Sequence, residues 1–131
     1  MESVSDVPTR GEAPPHSRFP ARLWFRDAGR TVGVEILEID WIEAAGNYVQ
    51  IYTPRRTHLI RHTVKAMQAK LDPERFVRVR PSAIVNAERV ARLTHRPGGE
   101  YLVTLVDGTQ IPSSRGFRGD VERVLVLRSA R

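Results

Sequence analysis

From Arg22 onward, apolar side chains recur at alternate positions in short runs broken by Gly, Pro, Asn and Asp, the pattern of half-buried strands. Leu23 to Arg26 and Thr31 to Glu35 flank Asp27-Ala28-Gly29-Arg30, a good hairpin connection. Ile39 to Ala44 and Tyr48 to Thr53 form a second candidate pair across Ala45-Gly46-Asn47, where Gly and Asn tolerate positive φ. Thr57 to Arg61 follows the turn Pro54-Arg55-Arg56, so the first half reads as a β meander. Beyond the helix described next, Ala83 to Val85, Arg89 to Thr94 and Tyr101 to Val106 read as strands, and Asp107-Gly108 leads into Gln110 to Pro112.

Two stretches change period. Val64, Met67 and Leu71 place an apolar stripe on one face of a short helix, with Lys65, Gln68 and Lys70 opposite. Thr63 can cap its start, and Asp72-Pro73 should end it. Phe117, Val121, Val124 and Leu125 have the spacing of an amphipathic terminal helix. Residues 1 to 20 hold four of the nine prolines and little apolar content, which predicts a flexible lead-in to one folded domain over residues 21 to 128. The expected class is mainly β, with one short central helix and a C-terminal helix.

Charge sharpens this picture because it is concentrated. The chain of 131 residues carries +6, yet residues 55 to 96 alone hold eleven Lys and Arg against three Asp and Glu, a net +8. Such clustering suits a polyanion, and all but two of the 21 basic residues are arginine, whose planar fork fits phosphate and guanine. Composition alone could also produce that ratio, so its position carries more weight. No apolar run approaches the ~20 residues of a membrane span, and there is no cysteine for a disulfide, thiolate or cysteine-held metal. No membrane insertion and a cytoplasmic location are expected, and no cofactor.

Catalytic patterns are weak. His58 and His62 are four apart without a Glu in the HExxH position, and Ser113-Ser114 lacks a Gly-x-Ser-x-Gly elbow. No Gly-rich phosphate loop is present, so an enzyme is not expected. A basic β module for RNA or single strands is an open alternative, but it needs exposed aromatic platforms. Trp24, Trp41 and Phe76 alternate like core residues, which leaves Tyr48 and Tyr101. A protein-interaction module is a further alternative.

Five segments in order resemble the LytTR family of bacterial DNA-binding domains. They are Ile39-Asp40-Trp41-Ile42-Glu43-Ala44 with Asn47-Tyr48-Val49; Arg61-His62-Thr63-Val64; Leu71-Asp72-Pro73-Glu74-Arg75-Phe76; Arg78 through Asn86; and Gly108 to Pro112 with Ser113-Ser114-Arg115. The run Phe-x-Arg-x-x-x-Ser-x-x-Val-Asn, at its distance from both flanking motifs, is the specific part. The resemblance spans about residues 22 to 127. It implies an antiparallel β fold whose loops enter two successive major grooves of double-stranded DNA, in a transcriptional regulator. It also implies binding to repeated sites, with a dimer there as an expectation, and a signal from a sensor or receiver, here expected as a separate protein.

The resemblance places one reading loop at Gly46, Asn47 and Tyr48. Asn47 can pair with adenine and Tyr48 can meet the backbone, although an ordinary β-turn also accounts for both. The second loop is Ser113, Ser114, Arg115 and Gly116, with Arg115 the leading candidate for a base or phosphate contact. Ser114 is expected to cap the following helix, to bond a phosphate, or both. Arg118 would contact the backbone or simply line a solvated helix face. Between the loops, alternation puts Arg78 and Arg80 on one face, where both could meet one stretch of phosphates, with Arg80 and Ser82 the stronger candidates. Pro81 stands where some family members carry a polar contact and offers no donor. Asn86 is expected to be structural, its amide serving a nearby turn.

Overall fold

The structure is a computed structural model and describes residues 19–127. The expected lead-in therefore lies, apart from residues 19 and 20, outside the described residues. Among the described residues, ten strands form three antiparallel sheets. Strands β1 (Arg22–Asp27) and β2 (Arg30–Glu35) make a two-stranded sheet. Their tight turn puts Ala28 and Gly29 at φ of 52° and 80°, the sense of turn that follows the twist of a hairpin.

The middle layer has five strands: β3 (Trp41–Ala45), β4 (Tyr48–Tyr52), β5 (Thr57–Ile60), β6 (Phe76–Arg80) and β7 (Ala83–Asn86), in the order β5-β4-β3-β7-β6. The third sheet sets β9 (Glu100–Leu105) between β8 (Val90–Arg96) and β10 (Gln110–Pro112). Most of the strand expectations hold to within a residue or two at the ends.

Alternation explains how the layers join. In β7 the neighbours Ile84 and Val85 are both fully buried, yet they belong to different cores. Ile84 joins Leu23, Phe25, Ile42 and Met67 on the hairpin side of the middle sheet. Val85 joins Val77, Val103, Ile111 and Val121 on the side of the third sheet and terminal helix. A strand apolar at both parities is one covered on both faces.

Helix α1 (Val64–Gln68) begins at Thr63 as expected, whose Oγ1 accepts the Ala66 N–H at 3.0 Å. It closes before Asp72-Pro73, because Lys70 and Leu71 turn tightly onto the carbonyls of Met67 and Gln68, which still buries Leu71. The terminal helix opens with a 3-10 turn at Arg115–Phe117, continues as α2 (Arg118–Val121), and widens to a π-helix over Glu122–Leu127. Val121, Val124 and Leu125 are buried.

One aromatic departs from expectation. Trp24 is 61% exposed, not in the core, because Leu23 and Phe25 take the inward face of β1. Its ring lies across Gly33 on the facing strand, where a Cβ would stand 2.8 Å away, and Arg22 stacks on it.

Candidate nucleic-acid interface

The first loop is a two-residue turn between the paired Ala45 and Tyr48. Gly46 has φ of +65°, while Asn47 does not share the left-handed conformation. Glycine therefore supplies the unusual backbone, and the turn needs no asparagine for it. Asn47 is exposed, and among the described residues its side chain has no hydrogen-bond partner. Tyr48 is 39% exposed with the Arg61 guanidinium 5.9 Å over its ring. Gly46, Asn47, Tyr48, Arg61, His62 and Thr63 line one shallow cleft of about 400 Å³.

Arg61 enters the sequence reading only as part of a motif and not as a candidate contact, though the hairpin itself could have found it. Val49 pairs with Ile60, so the next step outward along the two strands sets Tyr48 beside Arg61. His62 meets the edge of Phe25, while His58 is buried under the sheet. Burial, reinforced by Arg56 and opposed by Asp27, holds the His58 imidazole below its usual range.

The second loop is anchored differently. Ser113 is buried, and its Oγ accepts the Tyr101 N–H at 3.0 Å while its own N–H returns to the Tyr101 carbonyl at 2.8 Å. Ser114 donates its backbone N–H to Val79 at 2.9 Å. Its side chain makes no cap bond, so the helix-capping expectation is corrected. The tight 3-10 opening leads the Phe117 N–H to the Ser114 backbone carbonyl instead. Arg115 follows, exposed and without a side-chain partner among the described residues.

Arg118 donates to Glu122 at 2.8 Å, and Tyr101 donates its hydroxyl to the same carboxylate at 2.6 Å. Those two donors hold Glu122 below the ordinary carboxylate range. The hydrogen bond to Glu122, with burial, raises the Tyr101 phenol, and Arg118 opposes that rise. Tyr101 is 4% exposed and cannot serve as a stacking platform.

Between the loops lies the segment Arg78 to Ser82. A β-bulge there sets Arg78 opposite Ile84 and Arg80 opposite Ala83, leaving Val79 as the extra residue. The two arginines, expected side by side, accordingly have separate partners. Arg78 donates to Gln68 at 3.1 Å and to the Pro81 carbonyl at 2.8 Å, and lies over Phe117 at 5.5 Å. Arg80 donates to Ser82 Oγ at 3.2 Å, to the Pro112 carbonyl at 3.2 Å and to Glu43 at 3.3 Å. Asn86 is structural as expected, its amide donating to Ile39 at 2.8 Å and its oxygen accepting from Glu88 at 3.0 Å.

Two exposed polar side chains on fixed turns thus flank a braced arginine segment. The family model of the LytTr DNA-binding domain matches residues 29–125, which takes in both loops and the segment between them. The chain belongs to the LytTR family. Three curated relatives of this LytTR domain are named as regulatory or sensory transduction proteins. An uncharacterized response regulatory protein of Vibrio cholerae is 27% identical over 89 residues, covering 65% of this chain and 34% of its own. The positive alginate biosynthesis regulatory protein of Pseudomonas aeruginosa is 27% identical over 130 residues, covering 95% and 49%. The sensory transduction protein LytT of Bacillus subtilis is 24% identical over 92 residues, covering 70% and 38%. The chain matches a third to a half of the length of these relatives. The LytTr DNA-binding domain of a Bacillus cereus response regulator superposes with a TM-score of 0.72 at 15% identity, covering 82% of this chain and 98% of that one, so the fold is shared. No helix among the described residues is long and apolar enough to cross a membrane.

Proposed function

We propose that this LytTR domain binds double-stranded DNA with sequence preference and acts in the cytoplasm as part of a bacterial transcriptional regulator. Asn47 and Arg115 touch base edges in neighbouring major grooves, where their donor and acceptor patterns suit adenine and guanine respectively. Tyr48, Ser82, Ser114 and Arg118 meet sugar and phosphate, and Arg78 adds positive potential between the loops. The supporting observation is the state of Asn47 and Arg115, two exposed side chains without partners among the described residues, on backbones that are themselves fixed. Groups left free on a rigid frame lose little on binding and leave no buried partner unpaired in its absence. The signal comes from a sensor or receiver protein, and two copies occupy repeated sites.

Selection of bound duplexes from a random pool tests this. One sequence class should enrich, and with about six phosphates neutralised log affinity should fall with log salt at a slope of about −5. A pool that enriches nothing, or single strands competing as well as the chosen duplex, would overturn the reading.

A further inference from the structure

We propose that Arg80 is a positioning residue that sets the distance between the two reading loops, instead of a contact to phosphate. The proposal rests on the DNA-binding reading above for its consequence and on local geometry for its substance. Each of the three guanidinium nitrogens faces a different element. Nε meets Ser82 in the turn between β6 and β7, Nη1 meets the Pro112 carbonyl at the end of β10, and Nη2 meets Glu43 in β3. Pro112 directly precedes the second loop, and Glu43 lies three residues before Gly46 of the first. The Glu43 carboxylate has the Tyr52 hydroxyl as a second neighbour at 3.2 Å, a hydroxyl whose one proton is shared between Glu43 and Gln50 Oε1.

The backbone follows the same route. The Ser82 carbonyl accepts the N–H of Ala44 at 2.8 Å, next to the first loop, and the Val79 carbonyl accepts the N–H of Ser114 at 2.9 Å, within the second. The bulged segment from Val79 to Ser82 is thus the bridge between the loops, and Arg80 is the side chain that spans it. A guanidinium suits this because its donors stand at fixed angles in one plane, so three bonds fix three elements relative to one another. Lysine would keep the charge and lose the fork. The Arg80 side chain is only 26% exposed and that of Glu43 32%, which makes the brace less open to solvent than an ordinary surface pair.

The test compares the whole chain with R80A, R80K and E43Q on the selected duplex and on versions with one base pair inserted between the two contacted clusters. Wild type should favour the correct spacing by about tenfold or more, the discrimination of one well-placed base contact. In R80A and R80K that ratio should drop below about threefold with the salt slope unchanged, and E43Q should move the same way by less. Three results would overturn the proposal. A slope reduced by about 0.9 with the ratio kept in R80A marks a phosphate contact. Equal weakening on every duplex with the ratio kept marks mere loss of folded protein. Full rescue by R80K shows that charge alone sufficed.

If wild type prefers no duplex, the DNA reading fails separately and amide exchange decides the brace. In R80A the Ala44 and Ser114 N–H groups should then exchange faster than in wild type while strand β9 is unchanged. Unchanged exchange at both would overturn it.

Discussion

The two loops proposed to read DNA reach the same outcome by opposite routes. Residues 45–48 form a hairpin turn whose shape is local, set by one glycine at positive φ and by the pairing of the strands on either side. Residues 113–117 have no hairpin to shape them, and their backbone is held from outside by Tyr101 and Val79. Each presents an exposed polar side chain, Asn47 or Arg115, that has no partner among the described residues. A free side chain for recognition therefore depends on a fixed backbone, whichever interactions fix it.

Ser113→Ala should separate the loops most sharply. It leaves the Tyr101 N–H buried without its partner, at a cost of up to about 3 kcal/mol of stability, read from denaturant unfolding. DNA affinity should fall with it, because the second loop loses its anchor. Arg115→Ala should reverse that balance. Specific binding weakens by about 2 kcal/mol, a side chain without internal partners being lost, while the unfolding midpoint barely moves. Asn47→Ala should match it on the first loop. Unchanged affinity in both would remove the loops from the interface.

Gly46→Ala is the local counterpart of Ser113→Ala. It forces a side chain into the left-handed region at a cost of about 1 kcal/mol, confined to the first hairpin and visible in its amide exchange. Spread of that effect into the terminal helix would contradict the local account of this turn.

Acid should give the smallest effects, in two separate windows. His58, beneath the sheet of the first loop, has its imidazole lowered by burial, so the unfolded chain takes the proton first. Its contribution is full above the ordinary histidine value of 6.5 and falls as pH drops below it. Glu122, beside the second loop, is lowered by Tyr101 and Arg118. Its contribution is full above the ordinary carboxylate value of 4.5 and falls only below that. His58→Gln should flatten the first decline and Glu122→Gln the second, each measured as unfolding midpoint against pH. A single decline untouched by either change would show that these groups do not govern acid stability.

The difference between the loops is also the difference in what could be read in advance. The Gly46-Asn47 turn, the Thr63 cap and the structural use of Asn86 were legible because each depends on residues close in sequence or on a strong side-chain preference. Trp24 misled because a large aromatic beside two other apolar residues reads as core, while strict alternation gave the inward positions to its neighbours. The cap expected of Ser114 failed because a 3-10 start uses the backbone carbonyl. Arg78 and Arg80 were legible as a basic pair, but the bulge that gives them separate partners has no local signature.

By itself the sequence determined the strand periodicity, the turns, the basic middle and the family, since these follow from short-range preferences of residue types. Tertiary structure alone decided which face of β7 meets which core and where the arginines point. Two of the three partners of Arg80 are 32 and 37 residues away along the chain, and only the closing of the sheets brings that carbonyl and that carboxylate within reach of one guanidinium.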